Sequence, residues 1–258
     1  LIGPGIGGLA IGFLGASATF WVSAAMFAVG ALIMLAVRVP GAGRPAAHER
    51  PAGVWTATVA GVRFVWGDRV LRTVALVSMV IVGFWLPIEG VVLPVYFQGR
   101  GEPQQLGVTV MALAAGGIVG ALIYGALGHR IGRRLAFCVA LTATGLGTLG
   151  MALLPPYALL LAFAVIAGLF YGPVGPLVNL MIQHRAPGTM RGRVVGLLTS
   201  AAYVAGPIGY LISGPMVEFL GLQTAFLLMA AGVTAVGVWS WFLPSLRAMD
   251  DTAGLPGQ

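Results

Sequence analysis

The sequence predicts an all-α polytopic membrane protein, and three observations carry that prediction. Hydrophobic residues make up 59% of the 258 residues and charged residues only 8%, with a mean hydropathy of +0.97. Water-soluble domains carry about 25% charged residues, so this chain has too little polar surface to coat a soluble globule. Second, its apolar residues come in continuous runs of the length that a helix needs to cross a hydrocarbon core, roughly 20 residues. Third, the basic residues, all of them arginine, collect in alternate links between those runs.

The elements follow in order. A partial apolar run covers Leu1 to Leu14; the chain opens inside it and on Leu rather than Met, and is read as part of a longer protein. The next run is Thr19 to Val37, followed by a polar stretch rich in Pro, Gly and Arg from Arg38 to Arg72. Six more runs lie at Thr73 to Phe97, Leu106 to Leu127, Leu135 to Leu154, Tyr157 to Ile182, Val194 to Met216 and Gln223 to Leu243. In hydrocarbon every backbone group must be satisfied within the segment, so these runs are helices. A β-barrel would show short alternating segments instead. Gly15–Ala18, Pro155–Pro156 and the turn near Gly221 are tight connections. Within Val54–Arg72, Trp55, Val59, Val62, Phe64, Val65 and Trp66 mix with Arg63, Asp68 and Arg69. That mixture fits either an amphipathic helix lying on the inner membrane surface or a solvated linker.

Arginine placement sets the orientation. Arg38, Arg44, Arg50, Arg63, Arg69 and Arg72 precede one span; Arg130, Arg133 and Arg134 fall in a later loop; Arg185, Arg191 and Arg193 in the next but one; Arg247 in the tail. The opposite loops hold only Arg100, offset by Glu102. The positive-inside rule puts the arginine-rich side and the C-terminus in the cytoplasm of a cell inner (plasma) membrane. The net charge of +7 therefore reports topology, not nucleic-acid binding. Cys138, the single cysteine, cannot form an internal disulfide. An internal repeat is also visible. Gly3-Pro4 precedes Gly15-x4-Phe20-x3-Ala24-Ala25, and Gly206-Pro207 precedes Gly221-x4-Phe226-x3-Ala230-Ala231, as duplicated helix bundles would produce.

Four motifs carry a family resemblance. Leu1–Gly8, with Gly3, Pro4, Gly7 and Gly8, looks like the Gly-Pro-x-x-Gly-Gly packing motif of helix five in drug exporters of the major facilitator superfamily. Small residues there let helix backbones approach. The stretch Gly125-Ala-Leu-Gly-His129-Arg130-Ile-Gly132-Arg133-Arg134 resembles that superfamily's loop motif between helices eight and nine, with His129 where the motif has an acid. In the family the acid helps latch the cytoplasmic side, so the substitution puts a charge latch at this copy in doubt. The segment Pro187-Gly-Thr-Met-Arg191-Gly192-Arg193-Val resembles the loop between helices ten and eleven of enterobactin-exporter-like and macrolide-efflux-like members. Gly61 to Arg72 resembles the end of their central loop. The resemblance implies a major facilitator fold: 1–38 as the end of an N-terminal bundle, 39–72 as a central cytoplasmic loop, 73–244 as a six-helix C-terminal bundle, and 245–258 as a tail. It also implies a full-length protein that works as a monomer, and a fragment inactive by itself.

Glu89 is the most informative single residue. It lies inside a span, between Pro87 and Pro94. Intramembrane carboxylates face a cavity or a partner, which suits a proton-coupling group that binds and releases a proton as access alternates. The other reading is a protonated, hydrogen-bonded structural glutamate. Phe84, Trp85, Tyr96, Asn179 and Tyr203 are candidate cavity-lining residues, each with a plain packing alternative. The sequence holds no zinc-protease or nucleophile-elbow motif, no phosphate-binding loop and no paired intramembrane acids. No metal and no cofactor are expected. The reading that joins these features is secondary transport: proton-coupled export of a hydrophobic drug-like or siderophore-like small molecule, not an enzyme. A membrane enzyme and a non-transporting sensor or scaffold remain the alternatives, since fold does not fix function.

Overall fold

A computed structural model describes residues 3–37 and 53–250 of the chain. Among them there is no strand. Helix α1 (Gly3–Ala36) is followed by α2 (Val54–Gly67), α3 (Arg69–Pro87), a π-helical turn (Ile88–Val92) and α4 (Leu93–Gly99). Then come α5 (Pro103–Leu127), a 3-10 turn (Gly128–Arg130), α6 (Arg133–Ala152), α7 (Tyr157–Tyr171), α8 (Val174–Arg185), α9 (Arg191–Leu220), α10 (Leu222–Ser240) and a 3-10 segment (Pro244–Met249). These give 7 helical stretches long and apolar enough to cross a membrane: Ser17–Ala36, Arg69–Gly99, Pro103–Leu127, Arg133–Ala152, Tyr157–Arg185, Arg191–Leu220 and Leu222–Ser240. The chain is an all-α, multi-pass membrane protein.

Close helix packing rests on glycine. Between α5 and α7, a side-chain carbon on Gly116, Gly120, Gly168 or Gly172 would run into backbone carbonyls of the facing helix: Val165, Leu169, Leu113 and Gly117 respectively. At the α3–α9 contact Gly209 meets the Gly83 carbonyl in the same way, and at the α6–α10 contact Gly145 lies against the Thr234 backbone. Lipid tails are as apolar as leucine, so helix association in a membrane depends on such shape fit rather than on hydrophobic burial. Many large apolar residues also face outward, Leu122, Leu211 and Trp239 among them, while Phe97, Phe137 and Phe226 fill the bundle interior.

The repeat has a backbone signature. Gly15 interrupts α1 with φ 79° and ψ 163°. Gly221, between α9 and α10, has φ 82° and ψ 154°. Both are left-handed values that favour glycine, and both glycines open the matched Phe/Ala-Ala block. The blocks differ in their surroundings: Phe226 is 0% exposed and Phe20 75%.

Two expectations about element boundaries change. The amphipathic stretch was expected to reach Arg72, but α2 stops at Gly67 and Arg69 already begins α3. Asp68 causes the break: it adopts an extended conformation, and its side chain accepts from the Val70 and Leu71 backbone N–H groups at 2.8 and 3.0 Å. On α2, Val65 is buried, while Trp55, Val59, Val62 and Trp66 form an exposed stripe on another face. The span expected at Thr73–Phe97 is longer and widens into a π turn at Ile88–Val92. Pro94 has no N–H to give to the Gly90 carbonyl, and the Leu93 N–H bonds back to Ile88 instead.

Candidate functional site

Glu89 lies on the π turn, an irregularity that often marks functional positions in helices. Ten residues separate it from Gly99 at the end of its span, about 15 Å at the helical rise. It is partly buried and makes no hydrogen bond or ion pair with another described residue. Around it the fold gathers aromatic rings from three helices. Trp85, one turn earlier on α3, stacks on Tyr171 of α7 with centroids 5.8 Å apart and planes 6° from parallel. Tyr171 lies within electrostatic reach of both Glu89 and Tyr203 of α9. Tyr210, two turns beyond Tyr203, packs so closely on Gly90 that a Cβ there would stand 2.7 Å from its ring and hydroxyl. Tyr203 is 61% exposed and Tyr171 37%. The cluster therefore opens on a side of the bundle that the described residues leave uncovered. Chemically it offers one unpaired carboxylate beside flat apolar faces and phenolic hydroxyls.

The other expected lining residues are not brought into this cluster. Phe84 packs against Gly232 of α10, inside the bundle. Tyr96 sits at the end of the bundle opposite the arginine-rich loops, in a cavity of ≈ 310 Å³ shared with Arg100, Gln105 and Tyr157. There Arg100 lies over the Tyr96 ring at 5.4 Å and pairs with Glu102 at 3.2 Å. Asn179 is exposed on α8. Glu218 is a second carboxylate on a span, which sequence reasoning passed over because the apolar run ends at Met216; α9 extends to Leu220 and carries Glu218 on its last turn, exposed. Among the described residues no group of acids, His or Cys gathers as a metal site would require.

The expected loop residues collect at the arginine-rich end. Gly125 and Gly192 face open space. Arg130 is exposed within the 3-10 turn; His129 lies in the same turn, its side chain outside the described residues. Arg133 contacts His184 at 3.3 Å. Arg191 donates to the carbonyls of Gln183 at 2.9 Å and Ala186 at 3.2 Å, closing the C-terminus of α8. Arg193 lies against Gly61 of α2. Gly3, Pro4, Gly7 and Gly8 fall on the first turns of α1, whose side chains lie outside the described residues, as do positions 38–52 of the central loop. Sequence reasoning missed the partner of Arg185. Its guanidinium binds Asp68 at 3.0 Å and the carbonyl of Ala248.

Comparison with known proteins places this geometry. Residues 90–254 match the model of the Major Facilitator Superfamily. Over 250 residues the chain is 41% identical to the multidrug efflux pump Tap of Mycobacterium tuberculosis H37Rv, covering 97% of this chain and 60% of that protein. The pump of the same name from Mycolicibacterium fortuitum is also 41% identical, with 61% of its length covered. The niacin transporter NiaP of Acinetobacter baylyi is 31% identical over 137 residues, 53% of this chain. The chain thus spans about 60% of the length of the mycobacterial pumps it matches. Seven apolar spans, glycine-built helix contacts, a repeated Gly-centred kink and a family match over most of the span-bearing sequence agree with one another: the chain belongs to the Major Facilitator Superfamily.

Proposed function

We propose that this chain forms part of a proton-driven exporter of hydrophobic, drug-like molecules that works by alternating access. The observation that carries the reading is the placement of Glu89. It is a carboxylate without a partner among the described residues, on a π turn inside a span, one turn from the Trp85 that stacks on Tyr171 and within electrostatic reach of Tyr171. An ionised carboxylate is costly at that depth unless it faces water or a cation, so its protonation follows the opening and closing of the site. The neighbouring aromatic faces supply adaptable contact area for a flat apolar substrate. The relatives named multidrug efflux pumps support the substrate class.

In this reading the arginine-rich end is cytoplasmic, the membrane is the cell's inner membrane, and the full-length protein acts as a monomer and carries out no covalent chemistry. Residues 1–38 close an N-terminal bundle, 73–244 form the C-terminal one, and 39–72 and 245–258 are the central loop and the tail. Gradient-driven flux in liposomes with the full-length protein tests the mechanism. Glu89→Gln keeps shape and hydrogen bonding but cannot ionise. It should reduce pH-driven accumulation at least tenfold while downhill exchange of substrate survives, and Glu89→Asp should keep part of the coupling. Wild-type accumulation by Glu89→Gln would remove this residue from the mechanism.

A further inference from the structure

The Gly125–Arg134 stretch holds three arginines and no acid, yet a carboxylate sits on it. Asp250, 116 residues beyond Arg134, accepts from the Arg134 backbone N–H at 3.2 Å. Its Oδ2 stands 3.4 Å from where a Cβ on Gly132 would lie. Gly132 is the N-cap of α6 and brings no side-chain acceptor. The positive end of α6 is therefore capped by a residue from the far end of the sequence.

Further bonds fasten the same segment. The Arg134 guanidinium donates to the Trp241 carbonyl at 2.7 Å, while its Nε is buried without a hydrogen-bond partner among the described residues. Arg185, at the end of α8, donates to the Ala248 carbonyl and to Asp68, which caps α3. The Thr73 and Ser245 hydroxyls lie 2.7 Å apart. Leu246 and Met249 are buried among Val70, Phe137, Leu177 and Met181, side chains from α3, α6 and α8.

We propose that the segment Pro244–Asp250 is a pin that locks the arginine-rich ends of α3, α6 and α8 together, and that Asp250 is a positioning residue for transport. It fixes the start of α6, and with it the arginine-bearing turn, so that the bundle rocks as one body. The effect on flux rests on the transport reading above; the pin itself does not. At the opposite end tight turns at Pro155–Pro156 and Gly221 already tie α6 to α7 and α9 to α10. The arginine-rich end has longer links, and rigid-body rocking needs both ends held.

The experiment combines amide hydrogen exchange with flux, in full-length protein reconstituted in bilayers. Asp250→Ala should raise exchange at the start of α6, residues 133–136, by tenfold or more. It should lower the maximal rate about fivefold with an unchanged KM. Asp250→Asn, which keeps an acceptor oxygen but loses the charge, should fall between. Adding Gly132→Asp to Asp250→Ala supplies a local capping carboxylate in the space vacated, and should restore both protection and rate. Unchanged exchange in Asp250→Ala overturns the pin. Raised exchange with wild-type flux, or a loss of flux through KM alone, overturns the positioning role. If wild-type protein shows no gradient-driven flux, the transport reading fails, and the exchange data alone decide on the pin.

Discussion

At the scale of single residues, Asp68 shows how one side chain takes several roles. It ends α2, caps α3 and pairs with Arg185, and the two side chains are 21% and 25% exposed. A capping side chain contributes about 1 kcal/mol. A partly exposed ion pair adds up to about 1 kcal/mol. Asparagine caps as well as aspartate does, so the two roles separate. Thermal unfolding in detergent should show Asp68→Asn losing about 1 kcal/mol and Asp68→Ala about 2 kcal/mol. Equal losses would mean that the cap contributes nothing. Arg191 holds a comparable place at the C-terminus of α8, and its bonds there go to backbone carbonyls rather than to an acid.

At the scale of elements, the α5–α7 contact depends on the absence of side chains. A Cβ on Gly120 would overlap the Leu169 carbonyl, an obstacle that no rotamer change relieves. Gly120→Val should therefore cost about 3 kcal/mol or more, the upper end of overpacking penalties. Gly125, one turn further along α5, has nothing within 4 Å of its Cβ position. Gly125→Ala should be neutral or stabilising by up to about 1 kcal/mol, the difference in helix propensity. The yield of monodisperse protein and its melting temperature read out both. If Gly125→Ala were the damaging change, the helix contacts described here would be wrong. The π turn belongs to the same scale: it ends just before Pro94, which has no N–H for the Gly90 carbonyl, and it carries Glu89.

At the scale of the whole molecule, the arginine-bearing links of the bundle other than the Arg100 turn meet at one end, where Arg134 reaches Trp241 and Asp250, and Arg185 reaches Asp68 and Ala248. The positive-inside rule predicts that end to be cytoplasmic. A single cysteine introduced beside Arg130, in full-length protein with Cys138 replaced, should react with an impermeant maleimide only after cells are opened. One placed at Gly101 should react in intact cells. Labelling of the Arg130 position from outside would invert the topology. The exposed face carrying Tyr203, Val204 and Ile208, like the second half of α1 where Phe20 is open, is apolar surface of the kind that lipid or further helices cover.

Composition and run length by themselves determined the class and the apolar spans, because hydrocarbon imposes one strong constraint on every residue that crosses it, and arginine placement predicts their sidedness. Glu89 was legible for the same reason: a carboxylate in an apolar run stands out. The repeat was legible at Gly15 and Gly221 because a left-handed backbone position favours glycine at both. Which aromatic residues join Glu89 was not legible. Phe84, Trp85 and Tyr96 all lie on the same span, and only the helix packing and the π turn sent Trp85 to Tyr171, Phe84 to Gly232 and Tyr96 to the far cavity. The partners of Arg134 and Arg185 were hidden for a different reason. Asp250 and Asp68 lie 116 and 117 residues away from them, and hydrogen bonding across such separations leaves no spacing to read. Local physics fixed what each segment is, and tertiary contact alone decided which segments hold one another.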